Sequence, residues 1–168
     1  MIRVVAFVDA LTDRLGRGVS WLIFAMTFLT VVVVLMRYAF DRGAIWLQEP
    51  VTYMHAAVFL IGAAYALKRD AHVRVDIVYS RLSPRGRTIV DLLGHLLLLV
   101  PVSGFILVYS VPYVAASWRV MEGSPDVGGI QGVFLLKTLI PAMAVLLLLQ
   151  GFAEIVRCVR ALGGKGTR

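Results

Sequence analysis

Four stretches of this 168-residue chain run almost free of charge. Gly18 to Met36 carries none. Ala44 to Leu67 is interrupted by Glu49 alone. Leu92 to Trp118 has no charge beyond what His95 can take up. Val133 to Val156 holds Lys137 and Glu154, one near each end. About 20 mostly apolar residues cross a bilayer core, so each stretch predicts a transmembrane helix. With their flanks the spans cover approximately residues 18–37, 44–67, 88–118 and 133–157 of a single membrane domain. The expected fold is all-α. The third stretch exceeds what a bilayer needs and contains Pro101 and Pro112; tilt, a kink or emergence beyond the lipid would each accommodate it.

The segments between the spans have patterns of their own. In Met1 to Arg17 the apolar residues Val4, Val5, Val8, Leu11 and Leu15 recur at spacings of three and four, which predicts an amphipathic extension of the first helix. A secretory signal would have an apolar stretch of about 7–15 residues and a small-residue cleavage site. Gly18 to Met36 is long enough to span, so an uncleaved first helix is expected. Between the second and third spans, Asp70 is suited to cap a short interfacial helix that ends before Pro84. The alternation in His72-Val-Arg-Val-Asp76 also fits an extended segment; the helix is the preferred reading. Glu122 to Gly129 reads as turns.

Composition turns this pattern into a class. The chain is 60% apolar and 16% charged, with a mean hydropathy of +0.84. Soluble domains are about 45–50% apolar and about 25% charged, and a chain this small cannot hide the excess from water. A soluble enzyme, a disordered chain and a water-soluble DNA-binding protein are excluded, although the net charge is +7. The basic residues lie between the spans: thirteen flank one side of the predicted bundle and three the other. The positive-inside rule places both termini and the second loop in the cytoplasm and points to the lipid bilayer, with no nucleic-acid partner. Tyr38, Trp46, Tyr113 and Trp118 then fall at the outer interface, Trp21 and Tyr79 at the inner one. Cys158 is a lone cysteine, with no disulfide partner and no metal-site spacing.

Few residues carry candidate chemistry. Glu49 and Lys137 are charges inside spans, both toward the outer end. Such charges are costly and usually pair or mark function; the two can pair with each other, or each can reach the headgroup region alone. His55, His72 and His95 invite a haem, as in a four-helix membrane cytochrome b-type subunit, but the expected depths of His55 and His95 differ by roughly 7 Å at the helical rise, and packed or hydrogen-bonded histidines fit better. His72, Arg74 and Asp76 form a compact mixed-charge motif that reads as a solvated loop or as a clasp against helix ends or a partner. Gly62 and Ala66, with Ala56, Ala63 and Ala64 nearby, favour close helix packing. No catalytic, cofactor-binding or metal site is expected. No span is broken in the manner of a transporter's discontinuous helix. A subunit of a larger machine is the reading that remains.

The chain resembles the small membrane subunit (DctQ type) of the tripartite ATP-independent periplasmic, or TRAP, transporters. The resemblance is carried by Gln48-Glu49, Phe59-Leu-Ile-Gly-Ala-Ala-Tyr65, Asp70-Ala-His-Val-Arg-Val-Asp76 and Ser83-Pro-Arg-Gly-Arg87. It continues in Ser117-Trp118, Glu122, Ser124-Pro-Asp126, Gly128-Gly129, Lys137, Ile140-Pro141, Leu149-Gln-Gly151 and Glu154. Pro50 departs from the pattern, where Leu is expected after Gln-Glu. The resemblance implies a subunit of a sodium-driven importer of organic anions in the bacterial inner membrane. Its partners would be a large membrane subunit and a periplasmic substrate-binding protein. The small subunit would anchor the large one and help form the docking face, with Arg119, Glu122 and Asp126 as polar contacts. The pattern around Gly128-Gly129, Lys137 and Gln150-Gly151 resembles the branch associated with keto acids and other monocarboxylates.

Overall fold

The computed structural model describes residues 2–41, 43, 45–71 and 79–164. They form four long helical rods, with no strand among the described residues. The first, α1, runs Ile2–Ala39 without a break, so the amphipathic segment and the first span are one helix. Gly16 sits inside it because the Tyr65 ring lies against the backbone there; a Cβ would come within 2.4 Å of that ring.

Helix α2 is Ile45–Lys68. Pro50 falls in its second turn, and the missing N–H removes the bond to the Trp46 carbonyl. The helix closes on a Schellman-type turn. Asp70 adopts the left-handed conformation with φ of 55°, its N–H bonds to Leu67 O at 3.2 Å, and Ala71 N–H reaches Ala66 O at 3.0 Å. Asp70 therefore terminates α2. The interfacial helix itself falls largely on residues 72–78, outside the described residues.

The third rod starts at Pro84, earlier than its apolar stretch. Ser83 caps it by accepting from Gly86 N–H, and Pro84 takes the first position, where no donor is needed. It is built of α3 (Pro84–Gly94), a wider π turn at His95–Leu99, and α4 (Val100–Arg119). The π turn has a local cause. Pro101 cannot donate and its ring crowds the carbonyl four residues back; Val100 N–H instead reaches five residues back, to His95 O. This is how the long third span absorbs Pro101. The last helix, α5, is Val133–Gly163.

α1 packs on α2 and the third rod packs on α5, which also touches α1 and α2. Many of the buried residues are small, Ala64, Ala144, Ala153, Ser103, Ser110, Ser117 and Gly151, beside Val8, Val114, Phe134 and Val156. Large apolar side chains point outward, among them Trp21, Phe24, Phe28, Phe59 and Phe105. In lipid, helices gain nothing from burying apolar surface against one another, so close backbone approach and hydrogen bonds hold the bundle. All four rods are long and apolar enough to cross a membrane.

Candidate functional site

Polar side chains gather at the two ends of the bundle. At the end that carries the start of α1 and the end of α5, the network centres on Gln150, which has no exposed surface. Its Oε1 accepts from Thr12 Oγ1 at 2.9 Å, and its Nε2 donates to Glu154 Oε1 at 2.9 Å and to Asp9 Oδ1 at 3.4 Å. Arg157 forks between Asp9 and Glu154. Beside it Lys68 donates to Asp9 O at 2.9 Å and pairs with Asp13 at 2.6 Å. Asp9, Asp13 and Glu154 thus face Lys68 and Arg157, and α1, α2 and α5 are tied together where their charges would otherwise repel or stay bare.

At the opposite end two carboxylates organise the loop between α4 and α5. Glu49, on α2, accepts from Ser124 Oγ and from Ile130 N–H. Glu122 accepts from Lys137 Nζ at 2.5 Å and from Ser117 Oγ at 2.6 Å. These donors hold its carboxyl below the usual range, Lys137 first and Ser117 next. The Lys137 ammonium also lies over the Tyr113 ring, 4.3 Å from its centroid. Trp118 Nε1 donates to Thr138 Oγ1 at 2.9 Å, and its ring meets Phe134 edge-on.

Backbone geometry brings Glu122 into reach. Met121 ends α4 with φ of 45°, and Glu122 N–H folds back onto Ser117 O at 3.1 Å. Within the loop Ser124 N–H bonds to Ile130 O and Gly129 N–H to Asp126 O. A Cβ on Gly129 would lie 2.3 Å from Ser124 Oγ and 2.7 Å from Glu49 Oε1, so the glycine makes room for the carboxylate.

Glu49 and Lys137 therefore do not pair with each other; each holds a different part of the same loop. Glu122 is turned inward, engaged with Lys137 and Ser117, whereas Arg119 and Asp126 are exposed and Val127 at the tip is 94% exposed. His72, Arg74 and Asp76 lie outside the described residues. His55 is exposed on the outer face of α2, stacked on Phe59. His95 sits in the π turn, its Nδ1 2.6 Å from Asp91 O, and lines a cleft with Lys68, Glu154 and Cys158. The two imidazoles belong to different surfaces and do not frame one iron, so the cytochrome reading is not supported. The Thr12–Gln150–Asp9–Arg157 network was not singled out as a site from the sequence. Its one signal there is polarity recurring on otherwise apolar helices: Asp9 and Thr12 near one end of the chain, Gln150, Glu154 and Arg157 near the other.

Four membrane-length rods, with polar groups engaged with one another at both ends, define a helical membrane protein. Its family is established by comparison: the model of the DctQ component of tripartite ATP-independent periplasmic transporters matches residues 26–161. The chain belongs to that family, a transporter component and not a class of enzyme, and is a multi-pass protein of the bacterial inner membrane. It is 33% identical over 92 residues to the C4-dicarboxylate TRAP transporter small permease protein DctQ of Vibrio cholerae serotype O1, covering 55% of this chain and 38% of that protein. It is 27% identical over 101 residues to a Haemophilus influenzae protein provisionally named as a TRAP transporter small permease, covering 60% of this chain and 61% of that one. The match thus spans less than two thirds of either relative.

Proposed function

We propose that this chain is the fixed membrane subunit of a sodium-driven TRAP importer of organic acids. It anchors the large transport subunit in the bilayer and presents part of the docking face for the periplasmic binding protein. The end with Gln150 faces the cytoplasm, in keeping with the concentration of Lys and Arg on that side. The loop between α4 and α5 then faces the periplasm.

The observation that carries this reading is the construction of that loop. Two different helices pin it, α2 through Glu49 and α5 through Lys137, and its exposed Asp126 and Val127, with Arg119 at the end of α4, project from a braced base. A braced, exposed tip suits a surface that receives a soluble partner repeatedly, because little ordering cost is left at the encounter. A carrier that moves through the bilayer also needs a partner that does not, and the polar network around Gln150 ties three of the four rods together.

The substrate is an organic carboxylate, and the Vibrio cholerae relative, named for C4-dicarboxylates, makes a four-carbon dicarboxylate the first ligand to try. The test is uptake of labelled succinate in cells carrying all three components. Charge reversal at this end of the bundle, Arg119→Glu with Asp126→Lys, is expected to reduce uptake severalfold while the two membrane subunits still co-purify. Loss of the large subunit from those variants would show that the loop serves assembly and not docking.

A further inference from the structure

Helix α2 is clamped on one side. It packs on α1 and on α5, and Ala64 is its buried residue. His55 lies nine residues earlier, which at about 100° per residue is the opposite face. That face carries Thr52, His55, Phe59 and Gly62 in one stripe, and the first three are exposed. His55 is about 15 Å from the Ile45 end of the helix and about 20 Å from the Lys68 end, the middle of the membrane.

Two observations bear on what covers this stripe. The first is unmet hydrogen bonding. On α1, Thr27 and Thr30 are exposed as well, but each donates to a carbonyl of its own helix at 2.8 Å. Among the described residues the Thr52 hydroxyl and the His55 imidazole have no hydrogen-bond partner; His55 merely stacks on Phe59. A neutral imidazole has both a donor and an acceptor, and hydrocarbon satisfies neither. The second is Gly62. A Cβ added there would meet nothing within 4 Å. A glycine weakens a helix relative to alanine, and no contact inside this chain requires one at this position. The space it leaves is outside the chain.

We propose that the Thr52–His55–Phe59–Gly62 stripe of α2 is the face on which a transmembrane helix of the large TRAP subunit packs. That helix approaches closely at Gly62 and brings a hydroxyl, carboxamide or carboxylate to the His55 ring. The proposal rests on the function proposed above and adds which face makes the contact. A second copy of this chain fits less well. Two copies in one membrane share an orientation, so a symmetric contact sets His55 against His55, and one N–H···N bond between neutral rings leaves a donor and an acceptor unmet.

The test uses the full complex in its native membrane. Phe59→p-benzoylphenylalanine, activated by light, is expected to give an adduct with the large subunit. Gly62→Leu is expected to leave this chain folded and inserted, since the added side chain has open space, and to cut the co-purified large subunit about tenfold by blocking the close approach. His55→Leu should weaken the complex and His55→Gln should largely restore it. If the wild-type chain co-purifies with the large subunit while position 59 labels only lipid or a second copy, the face is wrong and the function stands. Undiminished co-purification of Gly62→Leu refutes it equally. A wild-type chain that never co-purifies overturns both.

Discussion

Replacing Gln150 by Leu probes the network that holds the bundle together. Leu has a similar volume, so the change removes hydrogen bonds more than it removes packing. Gln150 makes two bonds between helices, to Thr12 and Asp9 of α1, and one to Glu154 on its own helix. Thr12 is 3% exposed, so its hydroxyl cannot turn to solvent. Each interhelical bond is worth about 0.5–1.5 kcal/mol, and a polar atom left buried costs about 1–3 kcal/mol; Asp9 keeps Arg157 and Lys68, so the loss concentrates on Thr12. The sum is about 2 kcal/mol, or a Tm lower by roughly 4–8 °C for a chain of this size. Thermal unfolding of the purified subunit in mild detergent measures it. A double-mutant cycle with Thr12→Val isolates the pair: the coupling is expected near 1 kcal/mol, because the second change removes the stranded partner. A Gln150→Leu protein as stable as the wild type, or a coupling of zero, would refute the claim that this network fastens α1 to α5.

Further expectations follow from other sites. Gly16→Val should destabilise the subunit by about 1–3 kcal/mol through overpacking on Tyr65, visible in the same melts, while Gly18→Val, with nothing within 4 Å of the added carbon, should be near neutral. Gly129→Val should displace Ser124 and Glu49 and loosen the loop, read as faster proteolysis between α4 and α5 with the helices intact. Glu122 has its pKa lowered in the folded protein by Lys137 and Ser117, so its contribution is fully present above the ordinary glutamate value of about 4.3 and is lost as pH falls through the lower, folded value. Protection against amide exchange across residues 120–132, measured relative to the intrinsic rate at each pH, should fall in that acid window, and Glu122→Gln should lower the protection at neutral pH and flatten its pH dependence. Met121→Gly should stabilise the loop by about 1 kcal/mol, since the left-handed backbone at Met121 suits glycine.

The spans were legible because lipid demands runs of apolar residues, and nothing else in a chain of this size explains four of them. Boundaries were less so. Pro84 reads as a helix stopper, yet with Ser83 before it the pair forms an N-cap followed by the first helical residue, and the third rod begins there. Asp70 reads as the cap of a following helix; the left-handed conformation it adopts to close α2 was not read there, because that depends on α2 running on to Lys68, whose last carbonyls need partners. Pro101 announced a disturbance but not its form, a π turn that keeps the rod continuous. The partners of Glu49 and Lys137 were out of reach, since Glu122, Ser124 and Ile130 are brought to them by a loop whose path depends on Met121 and Gly129. The Gln150 network joins residues about 140 positions apart, and helical periodicity says nothing about contacts at that distance.

The central claim, a fixed subunit within a larger importer, is tested most directly by purifying the tagged chain from its native membrane in mild detergent and identifying what accompanies it by mass spectrometry, with an absorbance spectrum of the same sample. The expected result is a stable complex with a large polytopic transport subunit and no haem absorbance. Recovery of this chain alone, or with a Soret band, would contradict the account.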